Sequence, residues 1–239
     1  MTIPSSDTTY GGRDNLEAMK KATRYNDFLI GLIRKYSVGN KTLDHGAGAG
    51  TFARPIAAGD MSVICMEPDS SLRAELAQSG LEVAASLEEI AASSVDYAYS
   101  LNVLEHIKDD QEAILDLYRC LKPGGRFLVY VPAFQVLYSQ MDHHVGHFRR
   151  YRRKPLIDVM RTAGFEVNEA YYVDSLGFLA TLVYKLVGNR SGSVSAGSVA
   201  FYDSVIFPLS RIIDFMGAGS FGKNLAIVAT KSSRSDDTA

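Results

Sequence analysis

Two cysteines among 239 residues leave no material for a disulfide framework, the device that staples small secreted domains. Cys65, inside an apolar run, and Cys120, near an expected helix end, therefore read as buried reduced thiols. Surplus charge is equally scarce: 25 basic residues against 27 acidic ones leave a formal net charge of −2. No global field draws the chain toward nucleic acid, so none is expected as a partner. No segment offers the roughly 20 uninterrupted apolar residues of a spanning helix. The N-terminal MTIPSSDTTYGG has neither the basic nor the apolar region of a secretory signal, which makes a cytoplasmic location the expectation. There is no internal repeat. What remains is an ordinary globular composition, 46% hydrophobic and 22% charged, on a length that suits one α/β domain.

Apolar residues recur at helical spacing through residues 14–36 (Leu16, Met19, Phe28, Leu29, Leu32, Ile33), which predicts one or two helices there. The period then changes. Short apolar segments at Lys41–His45, Met61–Met66, Leu81–Ala85, Val95–Leu101 and Arg126–Val131 alternate with stretches of helical character such as Ser70–Ser79 and Asp110–Leu121. Alternating strands and helices imply a parallel sheet. Continuous apolar runs such as VICM and FLVYV imply burial on both faces. LKPGGRF, with Pro123, Gly124 and Gly125, reads as a structural turn. A further strand follows at Glu166–Val173. Two apolar stretches then flank the Gly/Ser-rich link NRSGSVSAGS, before a last strand-like NLAIVATK.

The fold class this predicts is α/β, doubly wound, with a mostly parallel seven-stranded sheet, N-terminal helices and a helical insertion before the last strand. The chain reads as a single domain over 1–239. An N-terminal helical lid covers 1–38, a ligand-binding core 39–135, and a loop, helical cap and last strands 136–231. The tail 232–239 has too little apolar surface to order itself.

The sharpest sequence feature is LDHGAGAGT. The first strand ends at Asp44, and Gly46, Ala47, Gly48 and Gly50 make a turn that lets a ligand approach the backbone closely. About 20 residues further on, closing the second strand, stands Glu67, where a carboxylate can accept both hydroxyls of a ribose. The dinucleotide fingerprint G-x-G-x-x-G is not met, since its third glycine position is Thr51. Asp44 beside the loop would repel a pyrophosphate and attract an ammonium. A nucleoside with an amino-acid tail fits better than a nicotinamide dinucleotide.

These residues, with SLNVLEHIKD at the fourth strand, resemble the class I S-adenosylmethionine-dependent methyltransferases over about the first 135 residues. The resemblance implies S-adenosylmethionine as cofactor and S-adenosylhomocysteine as product. It implies that Asp44 and the Gly46–Gly50 backbone hold the methionine moiety, and Glu67 with Pro68 the ribose side. Ser86 and Leu87 would flank the adenine, although the family more often has an aspartate at that corner. Asn102 and Val103 would line the cofactor at the fourth strand. Asp69 reads as the N-cap of the next helix.

Methyl transfer from a sulfonium needs alignment above all, with a base only where the acceptor carries a proton. His106, after Glu105, and His147, in MDHHVGHFRRYRRKPL, are the candidates for that base. His106 has the alternative of merely organising the start of the next helix. The segment's H-H-x-x-H spacing matches no common zinc pattern, so no metal is expected. Arg149, Arg150 and Tyr151 are the candidates for holding an anionic acceptor, with the following basic residues on a solvated helix start. The D-x-x-x-G-H-F-R-R-Y arrangement and NLEAMKKATRYN resemble a subset of bacterial small-molecule methyltransferases, which extends the likeness over most of the chain.

Tyr10, Arg13 and Tyr25 sit where an N-terminal helix would fold over the cofactor. Tyr25 is the preferred lid residue, with core packing as its alternative. The apolar stretches Phe178–Val187 and Val199–Phe215 leave open a cap over a greasy acceptor, a peripheral membrane contact or a homodimer face. The expected acceptor is a small or lipid-linked molecule. Two other readings stand beside this one: a nicotinamide-dependent oxidoreductase, and a non-catalytic cofactor-binding regulatory module.

Overall fold

The computed structural model describes residues 22–59, 61–187, 196–217 and 219–233. Tyr10, Arg13, the first part of the expected N-terminal helices, most of the Gly/Ser-rich link and most of the tail lie outside them. In chain order the elements are α1 (Thr23–Tyr36), β1 (Lys41–His45), α2 (Ala53–Ala57), β2 (Ser62–Met66), α3 (Ser70–Gln78), β3 (Glu82–Ala84) and β4 (Val95–Leu101). Then come α4 (Asp110–Cys120), β5 (Leu121–Pro132), α5 (Gln140–His144), α6 (Arg153–Thr162), β6 (Phe165–Val173), α7 (Ser175–Val187), α8 (Ala196–Phe201), a π-helical turn (Tyr202–Ile206), α9 (Phe207–Gly217) and β7 (Asn224–Lys231).

The seven strands form one sheet in the order β3-β2-β1-β4-β5-β7-β6. β1 pairs in parallel with both β2 and β4, and β7 runs antiparallel between β5 and β6. β2 and β4 leave β1 on opposite sides, which opens a crevice beyond the carboxyl ends of these strands.

Burial on both faces explains why the central strands are continuously apolar. Along β4 the side chains alternate: Tyr97 and Tyr99 enter the layer beneath α1, with Leu29, Ile33 and Tyr36, whereas Ala98 enters the opposite layer with Ile114 of α4 and Met160 of α6. Each fully buried Leu, Ile or Phe contributes roughly 1.5–3 kcal/mol. α3 starts where expected, because the Asp69 carboxylate accepts from Ser71 N and Leu72 N at 2.9 and 3.0 Å. The Pro-Gly-Gly turn lies inside β5. Val95 pairs with Leu121 and Tyr97 already with Arg126, so residues 122–125 bulge out of the ladder, with Gly124 at φ 77°. Cys65 and Cys120 are buried and free. No helix among the described residues is long and apolar enough to cross a membrane.

The last helices pack only partly. α9 leaves Ile212, Phe215 and Met216 exposed by 61, 91 and 76%, and Val183 of α7 is also exposed. Phe207 turns inward against Tyr25 and Phe28. The insertion is thus anchored by one face and bare on the other.

Candidate functional site

The glycine turn after β1 is held by its neighbours. Gly46 N and Ala47 N both donate to the Met66 carbonyl, at 2.9 and 3.0 Å, and Gly50 N donates to Ala47 O. Gly46, Gly48 and Gly50 all have positive φ, at 78, 55 and 78°. A Cβ on Gly46 would come within 2.5 Å of the Val103 side chain, so the turn lies directly on the end of β4. Gly46→Ala is therefore expected to cost about 1–3 kcal/mol, from backbone strain and the displaced valine. Urea unfolding checks this; an unchanged midpoint would contradict it.

Glu67 leaves the end of β2 and turns toward that loop. Its carboxylate accepts from Gly48 N at 2.7 Å and from Asp69 N at 2.9 Å. Burial raises its pKa, with the two backbone donors opposing the rise. Asp44 is only 3% exposed, and its Oδ2 has no hydrogen-bond partner. Burial pushes its carboxyl up to about 7, and the nearby Glu67 charge adds to the rise. Tyr99 lies beside it, but the tyrosine hydroxyl also lacks a well-formed bond. Two acids thus face one crevice, and among the described residues no cationic side chain is bonded to either carboxylate. Such a place is electrostatically receptive to a positively charged ligand.

At the end of β4, Asn102 adopts φ 55° and donates its N–H to Tyr130 O at 2.7 Å. The chain then turns through a short 3-10 segment, Leu104–His106. Here the loop carrying His147 closes over the sheet: Phe148 N donates to Glu105 O at 2.8 Å, and the Tyr138 hydroxyl donates to His147 O at 2.6 Å. The rings of His106 and His147 meet edge to face, with centroids 4.6 Å apart. His147 Nδ1 is bonded to Asp142 Oδ1 at 2.8 Å, and His147 Nε2 lies 3.9 Å from Glu105 Oε1. Burial, reinforced by the neighbouring His147, pushes His106 down to about 4. Burial, with a smaller push from the Asp142 charge and against the pull of its own backbone N–H and the Arg150 guanidinium, raises Glu105 to about 8. Asp142 shifts the other way. Burial opposes the change, but the bond from His147 and the guanidinium of Arg150 hold this carboxyl well below the usual range.

A family model described as a methyltransferase domain matches residues 19–170, nearly two thirds of the chain. The chain belongs to that family. Its fold is the Rossmann-like one of class I methyltransferases: a SAM-dependent methyltransferase structure from Thermotoga maritima superposes with TM-score 0.62 at 19% identity, over 92% of this chain and 95% of that one. A phosphoethanolamine N-methyltransferase from Haemonchus contortus superposes with TM-score 0.63 at 16% identity, over 97% and 61%. In sequence, the domain is 31% identical to a Mycolicibacterium smegmatis protein named "Probable S-adenosylmethionine-dependent methyltransferase", over 45% of this chain and 41% of that protein. An "Uncharacterized methyltransferase" of Mycobacterium ulcerans is 29% identical over 57% and 59%. These matches span about half the length of the curated relatives.

Within this methyltransferase domain, Asp44, the glycine turn, Glu67, Asn102 and Val103 converge at the ends of β1, β2 and β4. Pro68 is exposed beside Glu67, and Ser86 follows β3 on the same side of the sheet. The Leu87 side chain enters the core layer with Met66 and Ala84. Tyr25 packs in the core against Tyr130 and Phe207, at 6.2 and 5.3 Å between centroids. Its hydroxyl lies beside Tyr130 and Asn102, and burial pushes it up to about 12.

Arg149, Arg150 and Tyr151 are each engaged by an acid of the protein itself. Arg150 grips Asp142 through Nε at 2.8 Å and Nη2 at 3.0 Å. Arg149 Nη1 lies 2.6 Å from Asp110 Oδ1, and the Tyr151 hydroxyl donates to Asp110 Oδ2 at 2.7 Å. Sequence reasoning missed Asp174, Tyr202 and Lys223, which lie together under the helical insertion. Tyr202 donates to Asp174, and Lys223 Nζ sits 4.7 Å above the Tyr202 ring. A π-helical turn begins at Tyr202, and Asp174 adopts φ 69°, so the cluster carries two local irregularities. No sequence motif announces it.

Proposed function

We propose that the domain binds S-adenosylmethionine in the crevice between Asp44 and Glu67 and transfers its methyl group to a small-molecule acceptor by in-line displacement. The observation that carries this reading is the buried Asp44 carboxylate beside the glycine turn, whose Oδ2 has no hydrogen-bond partner. It suits the ammonium of the methionine tail and would repel a pyrophosphate, which disfavours a nicotinamide dinucleotide. Glu67 would exchange its bond from Gly48 N for the ribose hydroxyls, while the turn's backbone follows the methionine moiety. Ser86, Leu87 and Pro68 border the nucleoside end, and Asn102 and Val103 the sulfonium end.

The acceptor would enter from the side of the loop 135–150 and the helical insertion. His147, with Nδ1 held by Asp142, is the group oriented to take an acceptor proton, and His106 borders it. The internal engagement of Arg149 and Arg150 supports positioning roles for them and weighs against an anionic acceptor. The bare apolar face of α7 and α9 favours an apolar or lipid-linked one.

Glu67→Ala is expected to weaken S-adenosylhomocysteine binding by about 1–3 kcal/mol through loss of charged hydrogen bonds. Calorimetry checks it, and unchanged affinity would remove Glu67 from the site. The activity itself is tested by incubating the protein with S-adenosylmethionine and an acceptor panel. Production of S-adenosylhomocysteine with an acceptor gaining one methyl supports the reading. Tight cofactor binding without turnover on any acceptor would favour a regulatory module.

A further inference from the structure

We propose that Glu105, His106 and His147 form a binding site for a divalent transition-metal ion. One ligand atom from each residue can be chosen so that all lie within 4.8 Å of one another. An ion bound at about 2.1 Å in tetrahedral geometry brings its ligand atoms to roughly 3.4 Å apart, so closure requires side-chain shifts on the order of 1 Å.

The independent observation is Glu105. Its side chain is 1% exposed, yet neither carboxylate oxygen has a hydrogen-bond partner. A buried carboxylate with four empty acceptor positions costs several kcal/mol unless something positive or protic meets it. His147 Nε2 lies 3.9 Å from Glu105 Oε1, and the Arg150 guanidinium is near enough to favour that carboxyl's charged form without bonding to it. A cation between Glu105 and His147 satisfies both at once.

The surroundings have the form that supports a metal ligand from behind. A metal-bound histidine typically donates its second ring N–H to a carboxylate, which fixes the ring and raises its basicity. Asp142 does this for His147 at 2.8 Å. Asp142 is in turn held by two guanidinium bonds from Arg150 and by Ser139 N at 2.8 Å. Two imidazoles and one carboxylate, with coordination positions left open, suit zinc, manganese, iron(II) or cobalt rather than calcium. The pattern His143-His144-x-x-His147 does not supply this site, because His143 and His144 face solvent. The missing ligands come from the turn after β4.

A cation here is held by the same turn after β4 that carries Asn102 and Val103, and what it does for catalysis rests on the methyl-transfer reading above. Its open positions favour an acceptor hydroxyl, whose proton the ion acidifies and releases to solvent. The oxygen lone pair then forms the O–C bond as the C–S bond breaks and its electron pair returns to sulfur. His147 serves in that case as a ligand, and the ion replaces it as the activating group.

The test is calorimetric titration of the chelator-stripped protein with zinc chloride and, separately, manganese chloride. One ion per chain is expected, with affinity reduced at least about tenfold in His147→Ala and in Glu105→Gln, and unchanged in His143→Ala. Circular dichroism on each variant verifies the fold, and Glu105→Gln keeps the side chain's shape if His147→Ala fails to fold. Absence of saturable binding of either ion, or affinity unchanged in both variants, overturns the site. S-adenosylhomocysteine titrated into the same samples separates the two ideas: cofactor binding without metal binding removes the ion alone, whereas loss of cofactor binding in the wild type removes the methyl-donor reading.

Discussion

Asp44→Asn is expected to weaken binding of S-adenosylhomocysteine by about 10- to 100-fold and, at the same time, to make the ligand-free protein more stable at pH 8. Both follow from one buried carboxylate. Binding loses a charge-assisted bond to the ligand's ammonium, which is worth roughly 1.5–3 kcal/mol. Stability changes because the folded state holds the Asp44 proton up to a pKa of about 7, against 3.8 for an ordinary aspartate.

A group whose pKa is raised by folding contributes stability that is full below its unfolded pKa and lost as pH climbs through the folded one. Above pH 7 the ionised Asp44 is therefore a burden on the ligand-free fold, on the order of 4 kcal/mol at about 1.4 kcal/mol per pKa unit. The asparagine variant has no such burden. Its advantage in urea midpoint should be small near pH 4 and grow toward pH 8. Equal stability across that range, with cofactor affinity retained, would show that Asp44 is neither desolvated nor in the site. The same proton links to binding in the wild type: affinity should fall about tenfold between pH 8 and pH 6, as the carboxyl becomes protonated.

The second large effect is expected at Asp142. Asp142→Ala should destabilise the fold by about 3–5 kcal/mol, because it leaves the Arg150 guanidinium buried without its partner. The arginine side chain is 8% exposed and the aspartate 2%, so water cannot replace the lost bonds cheaply. The same change releases His147 Nδ1, so methyl transfer should fall more than the folded fraction explains. The double variant Asp142→Leu with Arg150→Met should recover part of the stability and none of the activity, since it removes the stranded charge but not the need to orient His147. Chemical denaturation and single-turnover rates read the two effects separately. Additive losses in the double variant would contradict coupling between the pair.

The sheet was legible where burial dictates pattern. Val95–Leu101 and Asn224–Lys231 coincide with β4 and β7, because strands covered on both faces admit only apolar and small residues at nearly every position. The glycine turn was legible because its positive φ angles restrict residue type. Leu121 was assigned to a helix end and instead begins β5, because the bulge at residues 122–125 lets it pair with Val95 across the turn.

The site beyond β4 was only half legible. Glu105 and His106 lie on one segment, and Asp142, His147 and Arg150 on another, so the residue types were visible but not their facing geometry. Counting charges in RRYRRK shows basic residues and hides their acidic partners: Asp142, eight residues before Arg150 on the same segment, and Asp110, which only the fold brings to Arg149. Asp174, Tyr202 and Lys223 carry no motif, because three separate elements deliver them.

The most direct measurement is a crystal structure of the protein with S-adenosylhomocysteine. The amino group should lie on Asp44 and the ribose hydroxyls on Glu67, with that carboxylate turned away from Gly48 N. A nucleoside bound elsewhere, or one in this crevice touching neither acid, would contradict the account.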